Sequence, residues 1–168
     1  AVLDAGGDPA DERAAVAAAE ALDLARIDEH RIRSSAVGLA ASKVASISAV
    51  RAALLKAQRA FAADPAGAVL DGRDIATVIC PDADVKLFVT ASLDARTQRR
   101  LAELRNRGEA IEFEELKAQI AERDERDINR AEAPLRQAEG AFLLDTTTLS
   151  VDESVVAAVA IIEQARRG

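Results

Sequence analysis

At 168 residues, 49% of them hydrophobic, the chain is long enough for one globular domain with a buried core. Its net charge of −7 and its aromatic content of four Phe with no Trp or Tyr exclude a general nucleic-acid binder and leave the core to Ala, Val, Leu and Ile. One cysteine, Cys80, and one histidine, His30, exclude an intrachain disulfide and a Cys- or His-based metal centre. No apolar run is long enough to span a bilayer, and the first residues lack the basic and apolar regions of a signal peptide, so a cytoplasmic protein is expected.

In chain order, Ala1 to Gly7 reads as the tail of a helix running into a glycine stop. With no methionine anywhere, the chain is expected to begin inside a domain. Asp8-Pro9 is expected to cap a helix that runs to about Leu24. A second, Ala-rich helix follows over Arg33 to Ser46. Ser48 can cap a third, with Val50, Leu54, Ala57 and Phe61 at helical spacing, and Asp64-Pro65-Ala66-Gly67 forms a turn after it. Ala68 to Asp71 reads as a short buried strand, followed by a short helix near Asp74 to Ile79 and a turn at Pro81-Asp82. Val85 to Thr90 is apolar, β-branched and turn-bounded, the best strand in the chain. Ser92 caps a helix to Arg107 that Gly108 stops, and another runs from Glu112 to about Arg130. Ala141 to Asp145 is a third strand. Ser150, with Glu153 three residues on, caps a last amphipathic helix to Arg166. Strands alternating with helices predict an α/β fold with a parallel sheet covered on both faces, the helical N-terminal part lying beside it.

Three stretches carry charge patterns suited to chemistry. Asp71-Gly72-Arg73-Asp74 closes an expected strand, and in open parallel sheets strand tips are where ligands bind. Arg123, Asp127 and Arg130 are spaced by four and three, so a continuous helix would align them on one stripe, with Arg126 close to it. Such a stripe is either a solvated face laced with ion pairs or a clamp for a phosphorylated sugar: guanidinium forks bind phosphate and a carboxylate accepts from ribose hydroxyls. Between Ser92 and Arg107 lie five arginines, Arg96, Arg99, Arg100, Arg105 and Arg107, which read either as an exposed helix or as a lid over a polyphosphate.

Taken in order, Asp71 to Val78, Pro81-Asp82-Ala83, Arg96 to Arg100, Glu122 to Arg130, Ala133-Pro134-Leu135 and Asp145-Thr146-Thr147 resemble the bacterial cytidylate kinases. Upstream, Ala40 to Ala45, Val50 to Leu55 and Gln58 to Phe61 resemble the same family, so the likeness covers essentially the whole chain. It implies a parallel-sheet P-loop kinase fold of the nucleoside monophosphate kinase type, forming one domain over 1–168, with a helical NMP-binding side over 8–63 and an Arg-rich lid region over 92–130. The family's first strand and its G-x-x-x-x-G-K-[ST] loop have no counterpart here, and the stretch between Leu24 and Arg33 is short.

The implied reaction moves the γ-phosphoryl group of ATP to CMP or dCMP, with Mg2+ held mainly through that loop, in a complete enzyme that is monomeric and binds neither nucleic acid nor membrane. The 168-residue chain by itself is expected to be inactive. A non-catalytic nucleotide-binding remnant and a kinase for another small acceptor are the alternatives. Carried over by position, Ser42, Arg51 and Asp74 surround the pyrimidine, with Asp74 accepting from the cytosine amine. Arg73 and Arg130 clamp phosphate, and Asp127 with Arg123 holds the ribose. Arg99 and Arg126 fall on the ATP side, and Arg33 supports the acceptor side.

Overall fold

The computed structural model describes residues 2–22, 32 and 35–167. Its contacts divide the chain into two compact units, residues 1–70 and 71–168. The first unit is helical. Asp11 opens α1 (Glu12–Glu20), its carboxylate accepting from the Arg13 and Ala14 amides at 2.9 and 3.2 Å. The cap expected at Asp8 therefore lies three residues later: Asp8 instead accepts from the Ala10 amide at 2.9 Å and builds the turn that leads in. After α2 (Ser35–Val44) comes α3 (Ser48–Ala62), capped at Ile47 rather than Ser48. α1 packs on α3, and Ala15 and Val50 are the fully buried residues of that pair. Asp64 to Gly67 forms the expected turn, with Gly67 at φ 90° donating to Asp64 O at 2.9 Å.

The segment expected as a buried strand, 68–71, is not one. It has no strand geometry, and Val69 is 93% exposed. A strand needs a neighbour to take its amides and carbonyls, and among the described residues only two strands pair.

Those two belong to the second unit. β1 (Leu87–Thr90) and β2 (Phe142–Asp145) are parallel, with Leu87 opposite Phe142 and Thr90 opposite Asp145. Between them run α4 (Leu93–Asn106) and α5 (Phe113–Asn129), a helical hairpin. Ser92 caps α4 through the Ala95 amide at 3.2 Å, and Gly108 at φ 77° ends the hairpin's first arm. Leu101, Leu104 and Leu116 form its core, flanked by Ile111, Phe113 and Ile120. Each buried leucine contributes about 2 kcal/mol. Lys117 bridges the two helices, 2.7 Å from Asp94.

α6 (Val151–Ala165) begins with the expected capping box: Ser150 Oγ accepts from the Glu153 amide at 3.2 Å while Glu153 accepts from the Ser150 amide at 2.8 Å. The sheet is less covered than its apolar strands imply. Val89 and Leu143 are exposed, and an open cavity of about 330 Å³ lies between the strands and α6, lined by Val89, Leu144, Val151 and Val155 among others. Among the described residues no helix is long and apolar enough to cross a membrane.

Candidate functional site: an arginine cluster beside the 71–74 turn

Gly72 keeps the turn tight, because a Cβ there would meet Ile75 Cγ1 at 2.9 Å. Beyond it, residues Ile75–Ile79 wind into a single π-helical turn, a form frequent at functional sites. The Asp74 carbonyl takes the Val78 amide at 2.9 Å, but the Asp74 carboxylate does not cap the turn. It faces Arg130 instead, Oδ1 lying 3.7 Å from Nη2, with side-chain exposures of only 16% and 15%. One residue earlier, Arg73 Nε donates to Asp127 Oδ2 at 3.1 Å. The 71–74 turn is thus tied to the end of α5 by two crossed ion pairs.

Arg123, one turn before Asp127, joins the same charge field. Partial desolvation of its guanidinium lowers its pKa first, and the neighbouring Arg73 cation lowers it further, against the opposing pull of Asp127 and Asp124. Asp124 is already engaged: Arg96 grips it with two bonds of 3.0 and 2.7 Å. What remains is three guanidinium groups, Arg73, Arg123 and Arg130, around two carboxylates, Asp74 and Asp127. The cluster is cationic inside a chain of net charge −7. Guanidinium forks match phosphate oxygens, so a group of arginines at one place is suited to an added anion.

The structure brings five expected site residues together: Arg73, Asp74, Arg123, Asp127 and Arg130. It does so by a different route from a continuous helical stripe. α5 ends at Asn129, and Arg130 is its C-cap in extended conformation, φ −62° and ψ 140°. Pro134 cannot continue a helix, and the Leu135 amide folds back onto Asp127 O at 2.8 Å. Arg130 therefore meets Asp74 from outside the helix. Arg126 turns along α5, its Nε donating to Glu122 O at 3.4 Å.

Arg99 is occupied elsewhere. Its guanidinium donates to Thr146 Oγ1 at 3.1 Å, to Thr146 O, and to Leu149 O at 3.1 Å. This fastens the loop after β2 to α4. Thr146 Oγ1 in turn donates to Thr90 O, joining the two strand tips, and Thr147 Oγ1 accepts from the Ser92 amide. Ser42 lies in α2, and half-buried Arg51 lies in α3, both in the first unit. Arg33 is outside the described residues. The Arg96–Asp124 pair was not distinguished by sequence from the other charges of its helices; only its position across the hairpin singles it out. Among the described residues no group of three or more His, Cys, Asp or Glu could hold a metal ion.

A small parallel α/β sheet with a cationic arginine cluster beside a D-G-R-D turn defines the class, a nucleoside monophosphate kinase-like fold. A sequence model of the cytidylate kinase family matches residues 14–164. The chain belongs to that family. It is 55% identical over 166 residues to a cytidylate kinase of Afipia carboxidovorans, covering 99% of this chain and 79% of the relative. A cytidylate kinase of Azorhizobium caulinodans is 55% identical over 162 residues, covering 96% of this chain and 79% of the relative. One of Xanthobacter autotrophicus is 53% identical over 168 residues, with 100% and 81% covered.

Proposed function

We propose that the protein is an ATP-dependent kinase that phosphorylates CMP or dCMP to the diphosphate, with the cluster at Arg73, Asp74, Arg123, Asp127 and Arg130 receiving the acceptor. The observation that carries this reading is the cluster's charge: three guanidinium groups around two carboxylates, partly withdrawn from water. Family membership supplies the substrate class.

Phosphoryl transfer depends on positioning and charge neutralisation more than on covalent chemistry by the protein. In this reading Arg73 and Arg130 hold the acceptor phosphate, and Asp127 with Arg123 holds the ribose. Asp74 accepts from the cytosine amine. Uracil presents a carbonyl at that position, so UMP would set two acceptors against each other and be rejected by unpaired polar groups rather than by size. Ser42 and Arg51 are read as further pyrimidine contacts from the resemblance, as are Arg99 and Arg126 on the ATP side. Mg2+ brought in with ATP requires only one or two protein carboxylates besides the phosphates, so a dedicated cage is unnecessary. When bound, it neutralises phosphate charge. The helical residues 8–63 serve the acceptor side and 92–130 the lid.

The test is ATP consumption by the full-length protein with CMP, dCMP and UMP as acceptors. CMP or dCMP is expected to exceed UMP in kcat/KM. Absence of any CMP-dependent turnover would sink the reading.

A further inference from the structure

Arg130 stands outside α5, at an extended C-cap. A long side chain leaving a helix end samples many rotamers, yet this one reaches back to Asp74. One contact that holds it is with backbone: Arg130 Nε donates to Ala133 O at 2.6 Å. Ala133 has φ 48°, the one non-glycine residue with positive φ among those described. That region is sterically unfavourable for any residue with a Cβ, and only surrounding structure holds alanine there. The surroundings are visible: Pro134 follows, and the Leu135 amide is fastened to Asp127 O at 2.8 Å. The turn is therefore clamped to the last turn of the same helix that carries Arg123 and Asp127.

We propose that Ala133 is a positioning residue for Arg130. Its left-handed backbone turns the carbonyl onto Nε, which fixes the guanidinium plane before any ligand arrives. With Nε on Ala133 O, Nη2 is directed toward Asp74. A fork held in advance loses less rotamer freedom on binding. This inference rests on the reading of Arg130 as a phosphate contact.

Two variants at position 133 separate geometry from mere folding. Ala133→Gly preserves access to positive φ and should keep the carbonyl contact and wild-type kinetics. Ala133→Val disfavours positive φ strongly, so the carbonyl should swing away and kcat/KM for CMP should fall about tenfold, as a misplaced catalytic contact does. In an Arg130→Lys background, Ala133→Val should add little further loss, because the group it positions is gone. Nitrogen-15 NMR of the Arg130 Nε–H provides a readout that does not depend on the valine variant folding: slow exchange is expected in the wild type and in Ala133→Gly. Rapid Nε–H exchange in the wild type would overturn the proposal. So would wild-type kinetics for Ala133→Val alongside an impaired Arg130→Lys, which would leave the phosphate reading intact. Wild-type kinetics for Arg130→Lys would remove that reading and this inference together.

Discussion

Two clusters on α5 use the same side chains for opposite ends. On one side, Arg96 and Asp124 form a two-pronged pair, and Arg96 Nε also donates to Ala91 O at 3.1 Å. Every donor edge named there has its acceptor, and the pair ties α4 to α5. On the other side, Arg73, Arg123 and Arg130 share two carboxylates, and the Arg130–Asp74 contact is long at 3.7 Å. A matched pair has little left to offer a ligand. A mismatched cluster, partly desolvated, keeps positive potential directed at an anion. The difference separates a helix-to-helix strut from the cluster proposed to receive the acceptor, although both read as Arg/Asp in sequence.

The sharpest way to break the comparison is Arg130→Lys. A lysine keeps the charge but cannot supply a planar fork, so kcat/KM for CMP should fall about a hundredfold. The same change at exposed Arg59 should leave steady-state kinetics near wild type. Equal behaviour of the two would make the cluster an ordinary ion-pair network.

Asp74→Asn tests what the cluster reads. Asp74 both pairs with Arg130 and is proposed to face the base, so a loss common to all acceptors reports on the ion pair. A fall in the CMP/UMP ratio of kcat/KM reports on base reading, and about 1–3 kcal/mol of discrimination is expected to go. An unchanged ratio would assign Asp74 to Arg130 alone.

Arg96→Met should behave the other way. The Arg96–Asp124 pair is about one-third exposed (side chains 35% and 32%), so screening limits its worth to about 1 kcal/mol of stability. Thermal unfolding should register the loss while the CMP/UMP ratio stays unchanged. A shift in acceptor preference would move this pair into the site.

The smallest effect is at Glu153, away from both clusters. Its carboxylate accepts from the Ser150 amide and hydroxyl, which hold its pKa below the ordinary glutamate value. A carboxylate with a lowered folded-state pKa stabilises the fold above its unfolded-state pKa, and that contribution disappears as pH falls through the folded-state value. The midpoint of thermal unfolding should therefore drop on acidification below the ordinary carboxylate range. Glu153→Gln should reduce the slope of that drop. An identical pH profile in both proteins would remove the capping box as a source of acid sensitivity.

Local chemistry was legible in the chain itself. Ser92, Gly108, and Ser150 with Glu153 mark helix ends through contacts within four residues, and these form as the sequence implies. Apolar runs located β1, which is also β-branched, and β2, and the D-G-R-D and E-R-D-E-R-D-I-N-R stretches pointed to five residues that come together. Long-range partnership was not legible. Ala68 to Asp71 has the composition of a strand, but strand geometry depends on a paired neighbour rather than on its own residues. Helical spacing aligned Arg130 with Asp127, whereas the tertiary structure released Arg130 from the helix and recovered its position through Ala133, because Pro134 and the fold-back of Leu135 end α5 at Asn129. Which aspartate each arginine takes was likewise decided by packing. Charge acts through space, and the separation of 54 positions between Arg73 and Asp127 is closed only when the 71–74 turn meets the end of α5.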